Sequence, residues 1–200
     1  MKKTLLIITW NIMMLPDVQA QDKNGFENYN LLSSRDAYVW MPVVHHLGKN
    51  GLYTEMRYNY EDRNTASVYV GKNFSDEKTI SYSVKPMLGI VFGKFNGGSI
   101  ALNVDADYKK LYISMQTQYT ISKDEVTENF FFNWTEIGYQ PVKWFYTGLS
   151  TQLTKIYKRN PEAEYGILVA FSLKKITIPI YVFSPLSNNR NFIIGINTEW

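Results

Sequence analysis

Leu111-Tyr112-Ile113-Ser114-Met115-Gln116-Thr117-Gln118-Tyr119-Thr120-Ile121-Ser122 decides the fold. Successive side chains of a strand point to opposite faces. Leu111, Ile113, Met115, Thr117, Tyr119 and Ile121 therefore share one face. Tyr112, Ser114, Gln116, Gln118 and Thr120 share the other. One face is greasy and the other wet, over a length that exceeds the five or six residues of an ordinary soluble strand. A tilted strand needs about 9–11 residues to cross a bilayer.

The same pattern recurs on both sides of this stretch. Ile100, Leu102, Val104, Ala106 and Tyr108 oppose Ala101, Asn103, Asp105 and Asp107. Leu52, Thr54, Met56, Tyr58 and Tyr60 oppose Tyr53, Glu55, Arg57, Asn59 and Glu61. Ten such segments follow one another from residue 52, at about 52–61, 66–74, 80–92, 99–108, 111–122, 129–139, 144–156, 165–173, 176–184 and 191–200. Tight links such as Lys109-Lys110, Lys174-Lys175 and Gln140 to Lys143 alternate with longer polar ones. The longer links are Lys123 to Glu128, Tyr157 to Glu164 and Pro185 to Arg190. Bacterial barrels have short periplasmic turns and longer external loops. The expected fold is all-β: a transmembrane antiparallel up-and-down barrel of about ten strands over residues 51–200. Eight or twelve strands also fit, depending on residues 36–47.

The N-terminus reads as a signal peptide over residues 1–20. Lys2 and Lys3 precede the apolar run Thr4 to Leu15, and Val18-Gln19-Ala20 is a small-x-small cleavage site. Residues 21–50 then read as a periplasmic N-terminal arm, in which 36–47 can add a strand or plug the lumen. With no cysteine, the chain has no disulfide to support a small exported fold. A closed sheet supplies stability by leaving no unpaired edge. No stretch after the signal is long and apolar enough for a spanning helix, so a membrane location requires a barrel.

Alternation alone also fits a soluble barrel with its apolar face inward. Three features favour the apolar face outward. Gly71, Gly89, Gly138, Gly148, Gly166 and Gly195 all fall in the polar register, where a narrow lumen needs small residues. Aromatics cluster at strand ends, with Phe74, Tyr108, Tyr139, Trp144 and Trp200 at one rim. Tyr58, Tyr60, Phe92, Tyr157 and Tyr165 mark the other, as two interfacial girdles would. Finally, Phe192, Ile194, Ile196, Thr198 and Trp200 lie on one face of the last segment. That strand resembles the C-terminal signature of bacterial outer-membrane proteins, which implies recognition by the barrel-assembly machinery. The run from His46 to Phe74, with Asn129-Phe130-Phe131-Phe132 and Tyr181-Val182-Phe183-Ser184-Pro185, resembles uncharacterised small outer-membrane barrels of the Bacteroidota. The resemblance implies a barrel in the outer membrane, with lipid as its surroundings, and carries no activity.

The inward register collects Glu55, Arg57, Lys85, Asp105, Asp107, Glu136 and Glu199. Placing Glu136 inward puts Trp134 there too. Opposite charges in a narrow lumen are expected to pair, because unpaired burial of charge is costly. Arg57 with Glu55, Glu136 or Asp105 is the pairing to look for. The expected role is structural or interactive, with a closed, salt-bridged lumen and external loops as the binding surface. The alternatives are a narrow channel for ions or small polar solutes, and a lipid-modifying enzyme. His45 and His46 are adjacent, so they point to opposite faces of a strand, and no third ligand pattern suggests a metal. No phosphate loop, dinucleotide fingerprint or nucleophile elbow is present, so no cofactor or catalytic residue is expected. The near-balanced charge gives no sign of nucleic-acid binding.

Overall fold

The structure, a computed structural model, describes residues 22–33, 37–188 and 190–200. The expected signal peptide, residues 1–20, lies outside them. Thirteen strands follow in order: β1 (Lys23–Ser33), β2 (Val39–Leu47), β3 (Leu52–Tyr58), β4 (Thr65–Lys72), β5 (Phe74–Glu77), β6 (Ser81–Gly93) and β7 (Gly97–Tyr108). After them come β8 (Leu111–Ser122), β9 (Phe130–Val142), β10 (Phe145–Ile156), β11 (Glu162–Leu173), β12 (Ile176–Phe183) and β13 (Asn191–Glu199). One 3-10 turn, Val126–Glu128, precedes β9.

All pairings are antiparallel between sequence neighbours, and two further ladders make a ring. β1 pairs with β13, and β4 pairs with β6. The closed barrel thus has twelve strands, with β5 outside the ring. β5 keeps the register of β4 along β6: Gly71 faces Met87, and Phe74 faces Val84. Pro86 lies in the gap between these two ladders and has no N–H to give. Pro179 acts similarly. The β12–β13 ladder lapses between Thr177 and Ile180 without a register change.

The region 21–50 departs in part from its sequence reading. Residues 23–33 are not an arm but a full barrel strand, and 39–47 form the added strand that the reading of 36–47 allowed. The polar residues of β1 hid it. Glu27 and Tyr29 face a wet lumen, so the alternation of β1 is polar on one side and mixed on the other. The strand count becomes twelve, and an even number keeps the start of β1 and the end of β13 at one rim. The turns at 48–51, 78–80, 109–110, 143–144 and 174–175 share that rim. Lys109 and Lys174, each the first of a Lys–Lys pair, take left-handed backbone angles to make two-residue turns.

The greasy face looks outward. Leu111, Ile113, Tyr119 and Ile121 are exposed, and Gln118, Thr120 and Ser122 are buried. Exposed Leu88, Ile90, Ile100, Ile137 and Leu149 extend the belt over neighbouring strands. Contiguous apolar surface of this extent is tolerated only when something other than water covers it. The two aromatic girdles are in place, except that Tyr60 leaves the outer one. Asn59 adopts a left-handed conformation just after β3, and the chain turns Tyr60 into the lumen.

Candidate functional site

The lumen is the concave site of the molecule, and cross-strand geometry shapes its walls. Tyr69 lies opposite Gly89, and Tyr112 opposite Gly138. A β-carbon on Gly138 would stand 2.2 Å from the Tyr112 ring. Each glycine is a socket for the aromatic ring across from it, which lets the rings lie flat along the wall.

Three zones follow one another along the axis. At the rim carrying the short turns lies a cavity of about 380 Å³. Its lining includes Asp105, Asp107, Glu136 and Glu199, with Lys85 and Glu55 deeper. At the opposite rim lies a second cavity of about 800 Å³, lined by Glu61, Asp62, Glu125, Glu128, Lys158 and Arg159 among others. These come from the connections after β3, β8 and β10. The two cavities share no lining residue.

Between them, side chains bridge the barrel and form a septum. Tyr60 Oη donates to Gln116 Oε1 at 2.5 Å, and its ring meets Phe132 edge-on at 5.8 Å. Trp134 on β9 reaches Tyr29 on β1 and Tyr181 on β12, with ring centroids 5.5 and 5.1 Å apart. Its indole Nε1 donates to Ser150 Oγ at 2.8 Å. Ser150 lies on the adjacent β10, but the other contacts link strands that are not neighbours in the ring, so they cross the lumen rather than follow its wall.

Arg57 is the polar centre of the septum and is only 4 % exposed. Its Nε donates to Glu55 Oε1 at 2.5 Å, and its Nη1 lies 3.6 Å from Glu61 Oε1 and 2.7 Å from Gln118 Oε1. The guanidinium carbon sits 4.6 Å from the Tyr60 ring centroid and 4.5 Å from that of Tyr69. Tyr53 Oη donates to the other oxygen of Glu55 at 2.6 Å. A buried charge this well surrounded has its desolvation offset. Glu55 borders one cavity and Glu61 the other, so Arg57 holds the boundary between them.

The residues singled out in the sequence separate into three groups. Glu55 and Arg57 meet at the septum. Lys85 and Asp105 meet at 2.9 Å in the smaller cavity, where Ser114 Oγ also donates to Asp105 at 2.8 Å. Asp107, Glu136 and Glu199 line the same cavity but form no salt bridge among the described residues. Arg57 makes no ion pair with Glu136 or Asp105; its second carboxylate partner is Glu61. Sequence reasoning missed the lumenal roles of Tyr60, Tyr69, Gln118, Glu27 and Tyr29. For Glu27 and Tyr29 the signal was there: spaced by two, they share a face of a stretch that reads as strand once its polar side is allowed.

His45 faces inward, with Nδ1 3.6 Å from Glu27, and its ring lies 5.7 Å from Tyr53. His46 faces away and pairs with Asn24 Oδ1 at 2.9 Å. Among the described residues no group of three acidic, histidine or cysteine side chains is arranged to hold a metal ion.

No protein-family model and no curated protein matches the chain, so the narrower resemblance to Bacteroidota barrels finds no support there. Solved structures do match. The KdgM porin in complex with disordered oligogalacturonate aligns with TM-score 0.64 at 13 % identity, covering 87 % of this chain and 98 % of that one. The KdgM porin alone gives 0.62 at 12 %, over 87 % and 98 %. The NanC porin gives 0.66 at 14 %, over 86 % and 98 %. At such identities the likeness is one of fold. Closed ring, outward greasy belt, paired aromatic girdles and this likeness together make the chain an integral outer-membrane β-barrel of porin-like fold.

Proposed function

We propose that the chain is a narrow outer-membrane channel for ions and small polar solutes, closed at its waist in this conformation. One observation carries the reading: two cavities, one polar and one of mixed lining, enter the lumen from opposite rims, and side chains alone separate them. A barrel with a purely structural role gains nothing from keeping such cavities. Buried charges can usually be replaced by well-packed apolar residues at no loss of stability. The septum rests on a few rings and one guanidinium, so side-chain movement at Tyr60 and Trp134 is the motion by which the cavities would join. The fold shared with KdgM and NanC supports the same reading. The outward face of β13, with Phe192, Ile194, Ile196 and Thr198, and the adjoining Trp200 supports a role in recognition by the barrel-assembly machinery.

Recording from the purified barrel in planar bilayers tests the channel. The wild-type protein is expected to show small, brief openings. Tyr60→Ala and Trp134→Ala are expected to raise the conductance and lengthen the openings. A current indistinguishable from bilayer leak in the wild type and both variants rejects the channel and returns the barrel to a structural role.

A further inference from the structure

We propose that the lumen binds small organic cations of the ammonium and guanidinium class, and that the pore is selective for cations. The binding part stands on the lining alone; the selectivity part rests on the channel reading.

The lining has a charge that the whole chain conceals. The sequence carries a formal net charge of +3. Yet the smaller cavity is bordered by Glu27, Glu55, Asp105, Asp107, Glu136 and Glu199, against Lys85 as its one lysine, with His45 beside Glu27. Among the described residues, only Glu55 and Asp105 of these meet a permanent cation, Arg57 and Lys85 respectively. The basic residues have been placed elsewhere: Lys109, Lys110, Lys143, Lys174 and Lys175 are exposed on the turns outside the lumen. A concave wall of one sign with low-dielectric surroundings focuses its field and concentrates the opposite charge.

A second, independent feature offers unpaired acceptors to a hydrogen-bond donor. Asn103 borders this cavity, is only 7 % exposed, and its Oδ1 has no partner. Asn197 Oδ1, on the same lining, is also buried without a partner. An amide oxygen only accepts, and leaving it buried and unpaired costs about 1–3 kcal/mol. An ammonium or guanidinium group offers donors and positive charge together. An anion offers neither.

The waist repeats this chemistry with its guest in place. Arg57 lies between two tyrosine rings, two carboxylates and an amide oxygen, the surroundings a free guanidinium would seek. Beyond it the other cavity has four acidic residues, Glu61, Asp62, Glu125 and Glu128, against two basic ones, Lys158 and Arg159. A volume of about 380 Å³ suits a small ligand. Since no metal-ligating cluster is present among the described residues, an organic cation fits better than a divalent ion. A polyanion such as the oligogalacturonate held by the KdgM neighbour would meet repulsion in the smaller cavity.

Calorimetric titration of the full-length barrel in lipid nanodiscs tests the binding, with agmatine as the cationic probe and trigalacturonate as the anionic one. Agmatine carries a guanidinium and an ammonium group in one chain. It is expected to bind at low salt, and trigalacturonate to give no heat. Replacing Asp107→Lys together with Glu199→Lys is expected to weaken agmatine about tenfold. Both positions are exposed at the rim, so the fold is kept, and heat-dependent gel migration verifies it. Asn103→Leu is expected to weaken binding as well. In planar bilayers under a potassium chloride gradient, the reversal potential is expected to take the sign of potassium. Agmatine binding without current in any variant would retire the channel and keep the site. Absent binding, binding indifferent to the double substitution, or an anion-selective current would overturn the proposal.

Discussion

Arg57 on β3 donates to Gln118 on β8 at 2.7 Å, although β4, β6 and β7 stand between those strands in the wall. The bond therefore spans the lumen. It ties two walls of the barrel together between the two cavities, and the ion pairs to Glu55 and Glu61 fix its direction.

Removing that guanidinium should loosen the barrel and open it. Arg57→Ala leaves Glu55 and Glu61 buried without their cation, an arrangement that costs about 3–5 kcal/mol. Denaturant unfolding in lipid vesicles should show a lower midpoint. Adding Glu55→Gln and Glu61→Gln should restore much of the loss, since no buried charge then stands alone. Conductance should rise in both variants. Unchanged stability in Arg57→Ala would mean that the septum does not brace the barrel.

The glycine sockets predict a different failure. A side chain on Gly138 must displace the Tyr112 ring, which lies within 2.2 Å of where its β-carbon would be. Gly138→Val should cost about 1–3 kcal/mol, the usual range for overpacking. Tyr112→Ala in the same chain should recover part of it, because the ring that clashes is gone. Equal losses in the single and double variants would show that Gly138 matters for the backbone and not for the ring.

The outer surface was legible from residue 52 onward, because lipid demands apolar residues at every second position and the sequence reports that demand directly. Leu111 and Ile113 face outward as their alternation implies. β1 was not legible, since its Asn24, Asn28 and Asn30 lie on the side expected to be greasy. Asn28 and Asn30 are instead held by Trp40 and Tyr38 side chains across the strands. The lumen was readable as to which residues face it but not as to which of them meet. Pairing across the axis depends on ring closure and on the stagger between strands, neither of which is local. Arg57 and Gln118 are 61 residues apart. Tyr60 was misread because one left-handed residue, Asn59, reverses the alternation on which its placement rested.

Charge on the lipid side should be far less tolerable than polarity on the lumen side. Ile137 is exposed on β9, flanked by Ile113 and Leu149 on the neighbouring strands. Arginine near the bilayer midplane costs about 2–4 kcal/mol. Ile137→Arg should therefore lower the unfolding midpoint in vesicles strongly. Glu199→Gln, in the lumenal register of β13, should change it little. If the two effects are reversed, the assignment of lipid and lumen faces is wrong.

The seam between β1 and β13 offers the most direct check on the twelve-strand ring. Glu27 stands opposite Asn197 there. Asn24 and Trp200 exchange both backbone hydrogen bonds, at 2.8 and 2.9 Å. Counting along the ladder makes Glu27 and Asn197 a pair without mutual backbone bonds, the kind whose α-carbons approach to about 4.5 Å. That separation lies within the range a disulfide bridges. The chain has no cysteine of its own, so Glu27→Cys with Asn197→Cys gives a clean test. Mild oxidation should join the two positions nearly completely, and boiled samples should migrate differently with and without reductant. The neighbouring choice, Asn28→Cys with Asn197→Cys, sends the two side chains to opposite faces and should not join. If residues 23–33 were a free periplasmic arm, both pairs would form slowly and without preference.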